Sequence, residues 1–276
     1  NIPATIMIEQ MASTALDTHR AFEGVLKTYF AGKSTGSTGR GISPAYADLL
    51  YRHPVRMRDL IAPTAKQTLQ THYRLYQKLM LGFGVELAKL EVCRLDKSTV
   101  RVGSEQLFIK RLLTAIETLR PYIKDSQAFI DKHWAKSTPF VFEKAQALGL
   151  DARWGVYPDI TASNCGFDGI HSSTEGLIPP EQIQYRFGTL KATYTSSVGS
   201  RVLPTIMDED LAHRIREDAN EYGSTTRRPR GIVHVDIPMI RYLLSRNKVT
   251  HIAITHLDIS YLDQPKKICT SYTRNG

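Results

Sequence analysis

The stretch Ile232-Val233-His234-Val235-Asp236-Ile237, followed by Pro238–Arg246 and then His251-Ile252-Ala253-Ile254-Thr255-His256-Leu257-Asp258-Ile259, decides the fold class. A β-branched run, an amphipathic helical pattern and a second β-branched run form a βαβ unit. Such a unit predicts a parallel pair joined by a right-handed crossover. Lys266–Tyr272 reads as a third strand. The chain is therefore expected to be α/β, a mostly parallel central sheet flanked by helices. Immediately upstream lies Gly223-Ser224-Thr225-Thr226-Arg227-Arg228-Pro229-Arg230-Gly231, in which three hydroxyls and three guanidiniums stand between two glycines. Guanidinium forks match carboxylates and phosphates, and hydroxyls with free N–H groups complete an anion cradle. The bland alternative is a solvated basic turn. The bracketing glycines, Pro229 and the strand that follows favour an anion loop at a strand end.

Further upstream the pattern is mainly helical. Residues 8–30, 46–52, 64–92 and 103–136 carry helical periodicity, the last begun by Ser104 and bent at Pro121. Phe140-Val141-Phe142 reads as a short buried strand, 179–194 as a helix begun by a prolyl pair, and 208–220 as a charged helix. Residues 32–48 hold four glycines and five Ser/Thr hydroxyls, a loop rich in free N–H donors. Gly32-Lys33-Ser34 is not a P-loop: Lys27 stands where the pattern needs its first glycine, and no apolar strand precedes it. Arg52, Arg56 and Arg58 follow this loop, and ordinary surface charge accounts for them equally well. Thr161-Ala162-Ser163-Asn164 offers hydroxyls and an amide suited to phosphate oxygens and base edges, though turns favour the same residues. Asp258, at the end of its strand, can accept from the paired N–H groups of a guanine edge.

Composition is that of a globular chain: 276 residues, 42% hydrophobic, 23% charged, net charge +9. No apolar run reaches the about 18 residues that a membrane span needs. Cys93, Cys165 and Cys269 have no CxxC spacing, which argues against a zinc site and for a reducing, cytoplasmic setting. The positive charge is clustered in short loops rather than in basic runs interleaved with aromatics, so small polyanions are the expected partners and nucleic acid is not. Asn1-Ile2-Pro3-Ala4 has no initiator Met and no signal-peptide pattern, which suggests an incomplete chain.

Taken in order, Gly36-Ser37-Thr38-Gly39-Arg40-Gly41-Ile42-Ser43-Pro44-Ala45-Tyr46, Phe142-Glu143-Lys144-Ala145-Gln146, Tyr157–Asn164, Val198-Gly199 with Pro204-Thr205, Asn220–Arg230 and Thr255-His256-Leu257-Asp258 resemble adenylosuccinate synthetase across nearly the whole chain. The resemblance implies one synthetase domain over residues 1–276 with a P-loop-NTPase-like fold. It implies a homodimeric ligase of purine biosynthesis that joins L-aspartate to the 6-position of inosine monophosphate (IMP), using GTP and Mg²⁺, through a 6-phosphoryl intermediate. By the same resemblance Gln146 is catalytic and faces the purine 6-position. Ser37, Thr38, Thr161, Asn164 and Arg228 hold the monophosphate, with Arg52 reaching it across the dimer interface. Thr225, Thr226, Arg228 and Arg230 hold aspartate, and His256 with Asp258 reads the base of the triphosphate.

The departures from that family are equally specific. Its N-terminal GDEGKGK loop, with the catalytic Asp, the Mg²⁺ ligand and the catalytic His beyond it, is not found in this sequence, and no metal ligand is assigned here. Arg227 stands where the family has glycine, His256 where it has lysine, and Arg153 and Trp154 break its Asp-x-Asp-His-Gly pattern. Two alternatives follow: a phage-type relative that acts on dGMP with ATP or dATP, and a non-catalytic nucleotide-binding remnant.

Overall fold

A computed structural model describes residues 5–30, 38–94, 96–198, 201–224, 227–261, 263–264 and 266–274. The chain forms two compact units, Asn1–Val141 and Phe142–Gly276.

In the first unit the elements are β1 (Ile8–Glu9), α1 (Asp17–Tyr29), α2 (Ile42–Leu50), α3 (Met57–Ile61), α4 (Ala65–Gly82), β2 (Glu91–Cys93), β3 (Thr99–Arg101), α5 (Glu105–Leu119), β4 (Ile123–Lys124) and α6 (Ser126–Trp134). Leu69, Tyr73, Tyr76 and Met80 lie on one face of α4. They pack with Val102, Phe108, Ile109 and Ile116 into a core that scaffolds the unit. Ser104 begins α5 as expected, its Oγ accepting from Leu107 N at 3.3 Å. The expected helix over 8–30 begins only at Asp17. Ile8 and Glu9 pair in parallel with Ile123 and Lys124, and Thr14 bonds to Val55 O, so tertiary partners override the periodicity. The helix over 64–92 stops at Gly82, and Gly84 holds φ +71 beyond it. The stretch 103–136 is cut in two at Pro121 by a 3-10 turn and β4.

The second unit contains α7 (Asp168–Ser173), β5 (Phe187–Lys191), β6 (Thr195–Ser197), α8 (Glu209–Asp218), β7 (Gly231–Val233), β8 (Val235–Asp236), α9 (Ile237–Asn247), β9 (His251–Thr255) and β10 (Ile268–Cys269). Asp208 caps α8 and Asp236 caps α9 through side-chain carboxylates. The helix expected over 179–194 is a 3-10 turn leading into β5, because Tyr185, Phe187 and Thr189 alternate at strand period. Phe140–Phe142 forms no strand, and Val141 is 96% exposed. An apolar triplet without a neighbouring strand cannot satisfy its backbone as sheet.

The βαβ reading holds for its elements but not for their pairing. β7 and β9 do not bond to each other. β9 pairs in parallel with β5, register Phe187↔His251 to Lys191↔Thr255; β7 pairs antiparallel with β6; and β8 pairs in parallel with β10. His234 interrupts the first strand and splits it between two neighbours. Helices with parallel strand pairs give the α/β class expected. Among the described residues, no helix is long and apolar enough to cross a membrane, and the three cysteines are free.

Candidate active site

The parallel register of β5 with β9 ends at Lys191 and Thr255, so Tyr194 and His256 emerge side by side at the carboxyl end of the pair. Carboxyl ends of parallel strands are where α/β sheets bind ligands. Antiparallel pairing of β6 with β7 brings the Gly223–Gly231 loop to the same place. Within the loop, Arg227 N donates to Gly223 O and Gly223 N to Arg228 O, both at 2.8 Å, and Tyr222 bridges Pro229. Thr225 and Thr226 lie outside the described residues, as does Ser37. Arg227 and Arg228 are exposed, whereas Arg230 is turned inward.

Glu221 organises this corner, and its side chain is 2% exposed. Its Oε1 accepts from Lys191 Nζ and from Tyr194 OH at 2.6 Å, and its Oε2 accepts from Arg230 Nη1 at 2.8 Å. Burial alone would raise the carboxyl pKa. The bonds from Lys191, Tyr194 and Arg230 outweigh burial and bring it down to about 2, so Glu221 is a carboxylate. Burial lowers the Lys191 ammonium, which Glu221 opposes, and raises the Tyr194 phenol. Tyr194 OH also lies 2.8 Å from His256 Nδ1. Two expected site residues, Arg230 and His256, are thus joined through one buried carboxylate. Asp258, two residues on, is exposed. Arg230 Nε is buried and has no hydrogen-bond partner among the described residues.

Asp151 shapes the second cluster in this unit. Buried to 1% exposure, it accepts through Oδ1 from Arg153 N at 2.9 Å and through Oδ2 from Cys165 N at 2.8 Å. These bonds, with Thr161 N on Leu150 O at 2.8 Å, close residues 151–165 into a fixed loop. A Cβ at Gly155 would meet Asp151 O at 2.5 Å, so the loop requires glycine there. Ser163 Oγ donates to Gln146 Oε1 at 3.2 Å, which joins exposed Gln146 (φ 65) to the segment carrying Thr161 and Asn164.

In the first unit, Thr38 and Arg52 stand at opposite ends of α2, a helix about 14 Å long. Both are exposed, and Arg52 holds φ 69 just past the helix end. Arg56 does structural work instead: Nη1 donates to Met11 O at 2.6 Å. Beneath α2 lies a buried cluster that the sequence did not signal. Asp48 accepts from His19 Nε2 at 2.8 Å and from Tyr76 OH at 3.0 Å, and His72 Nε2 meets Thr18 Oγ1 at 2.7 Å. The spacing of His19, Asp48 and His72 would suit a metal ion. However, His19 Nδ1 accepts from Leu16 N at 2.8 Å, so Nε2 carries the ring proton and has no lone pair for a cation. Two imidazoles are also the wrong donors for Mg²⁺, which takes oxygen ligands. The described residues therefore present no set that fits the Mg²⁺ expected from the resemblance.

A family model described as adenylosuccinate synthetase matches residues 1–276. The adenylosuccinate synthetase of Mycosarcoma maydis is 33% identical over 279 residues, covering 100% of this chain and 58% of the relative. That of Halothermothrix orenii is 30% identical over 271 residues, covering 97% of this chain and 59% of the relative. The structure described as fully ligated adenylosuccinate synthetase from Plasmodium falciparum superposes with a TM-score of 0.76 at 25% identity, covering 92% of this chain and 55% of that one. The chain thus spans a little over half the length of the relatives it matches, and its α/β fold is that of the P-loop-like synthetases. Because the family model matches the chain over residues 1–276, this chain belongs to the adenylosuccinate synthetase family.

Proposed function

We propose that this chain is the aspartate- and nucleotide-binding portion of a ligase of purine nucleotide biosynthesis, which joins L-aspartate to the 6-position of IMP at the expense of a nucleoside triphosphate. The observation that carries the reading is Arg230. A buried carboxylate fixes the guanidinium at Nη1, and Nε is left without a partner beside a loop of further arginines. A guanidinium so held is oriented before its ligand arrives, which reduces the ordering that binding has to supply. In this reading Arg228 and Arg230, with Thr225 and Thr226, hold the aspartate carboxylates. Thr38, Ser37, Thr161, Asn164 and Arg228 hold the monophosphate. Gln146, its amide oxygen engaged by Ser163, directs its NH₂ toward the purine 6-oxygen. Thr38 and Arg52 lie at opposite ends of α2, which favours a homodimer in which Arg52 serves the other copy's monophosphate. Asp258 and His256 meet the base of the triphosphate, and the enzyme works in the cytoplasm. Magnesium would neutralise the triphosphate when bound, and the resemblance assigns its ligand to the family's GDEGKGK loop.

A second reading, conversion of dGMP with ATP or dATP, is favoured by Arg227 and His256 standing where the family has other residues. Incubation of the full-length protein with aspartate, either monophosphate and either triphosphate decides between them. Succinylated product from IMP is expected. Product only from dGMP would establish the second reading, and none from any combination would leave a nucleotide-binding remnant.

A further inference from the structure

The hydrogen bonds around Tyr194 fix where the proton sits on His256. The phenol has a single hydrogen and two neighbours, Glu221 Oε1 at 2.6 Å and His256 Nδ1 at 2.8 Å. Glu221 is an ionised carboxylate, and a charge-assisted bond is roughly twice as strong as a neutral one. The phenol proton therefore goes to Glu221. The phenol oxygen is left as an acceptor toward His256, so Nδ1 must carry the ring hydrogen. In the neutral imidazole the lone pair is then on Nε2. The ring is held edge-on to Tyr194, with centroids 5.8 Å apart and planes at 84°. Its backbone is fixed in the left-handed region at φ 56, just beyond the end of β9. Lysine at this position could only donate, whereas His256 in this tautomer can only accept at Nε2.

We propose that Glu221, acting through Tyr194, is a positioning residue that makes His256 a hydrogen-bond acceptor, so that the site selects a triphosphate whose purine carries a 6-amino group over one that carries a 6-oxo group. The selectivity rests on the reading above that His256 faces the base of the triphosphate; the tautomer does not. The same carboxylate holds Arg230 through its other oxygen. Removing the Tyr194 hydroxyl therefore separates the two connections, since Glu221 keeps Arg230 while His256 loses its anchor.

The tautomer is read directly by nitrogen NMR of the ¹⁵N-histidine-labelled full-length protein at pH 8, with His256 assigned through His256→Gln. The expected result is a ring protonated on Nδ1 in the unaltered protein and a shift toward the Nε2-protonated form in Tyr194→Phe. A ring protonated on Nε2 in the unaltered protein overturns the proposal, with no variant and no turnover required. The selectivity is read from binding of adenosine and inosine triphosphates, whose bases differ at the 6-position and in the N1 hydrogen that Asp258 can accept. Purine riboside triphosphate, which differs from ATP only in lacking the 6-amino group, is the control for N1. A preference for ATP of about tenfold, the equivalent of one hydrogen bond, is expected. It should fall to within about twofold in Tyr194→Phe, while the aspartate KM moves by less than about twofold. Equal binding of the two triphosphates by the unaltered protein overturns the selectivity even where the tautomer is as expected. A protein that binds neither overturns the base-site reading itself.

Discussion

Arg52, Gln146, Arg227 and His256 share a property that no side-chain pattern reveals: φ values of 69, 65, 54 and 56. A non-glycine residue in the left-handed region costs on the order of 1–3 kcal/mol, and such residues persist where the surroundings over-determine them. Gln146, Arg227 and His256 lie in stretches that carry the family resemblance, Arg52 stands just after one, and by that resemblance Arg227 occupies a position where the family has glycine. Its left-handed backbone supplies the physical reason for that glycine. Arg227→Gly is accordingly expected to stabilise the protein by about 0.5–1 kcal/mol in chemical denaturation, since relief of strain exceeds the added freedom of the unfolded chain. An unchanged or lower midpoint would show that the arginine side chain compensates for the strain. For Arg228, Arg228→Leu should raise the aspartate KM by about tenfold or more, the loss of one charge-assisted contact. Nucleotide affinity should change less; equal losses in both would contradict its assignment to aspartate.

Among the elements, α1 and α2 show how closely packing depends on one residue. Gly41 holds φ +76, and a Cβ there would lie 2.8 Å from both Arg20 N and His19 Cβ. Gly41→Ala is therefore expected to cost about 1–3 kcal/mol, read as a lower thermal midpoint, by pushing α2 off α1. The buried cluster between these helices also predicts a pH dependence. Burial, with His19 nearby, lowers the His72 pKa from 6.5 to about 3. Between those values the unfolded chain takes up a proton that the folded chain refuses, so stability is level above pH 6.5 and falls as pH drops toward 3. Denaturation midpoints at pH 7.5 and pH 5 should differ in the unaltered protein and differ less in His72→Gln. The lowered pKa of His234, caused by burial and by Lys267 nearby, adds a slope of the same sign. Glu221 contributes only below about pH 4.5, where its stabilising charge is lost as pH falls toward 2.

At the scale of the whole molecule, the two units meet in sequence at Val141 and Phe142, within an apolar triplet that joins no strand. Thermolysin, which cuts before large apolar residues, is expected to cleave first between 139 and 143 and to give two fragments of similar mass; initial cleavage elsewhere would show that this segment is protected. The sequence alone determined the α/β class, the helix start at Ser104, and the ordered loops of hydroxyls, glycines and arginines that mark the family. These are local chemistry: a cap, a turn or an anion loop needs particular residues at particular spacings. Tertiary structure alone decided that 8–16 is not helical, that β9 pairs with β5 rather than β7, and that Glu221, at the end of a charged helix, is buried beneath Arg230 and His256. A strand's partner and a carboxylate's burial depend on residues tens of positions away, so no periodicity records them. The same long-range pairing decides which nitrogen of His256 carries its proton.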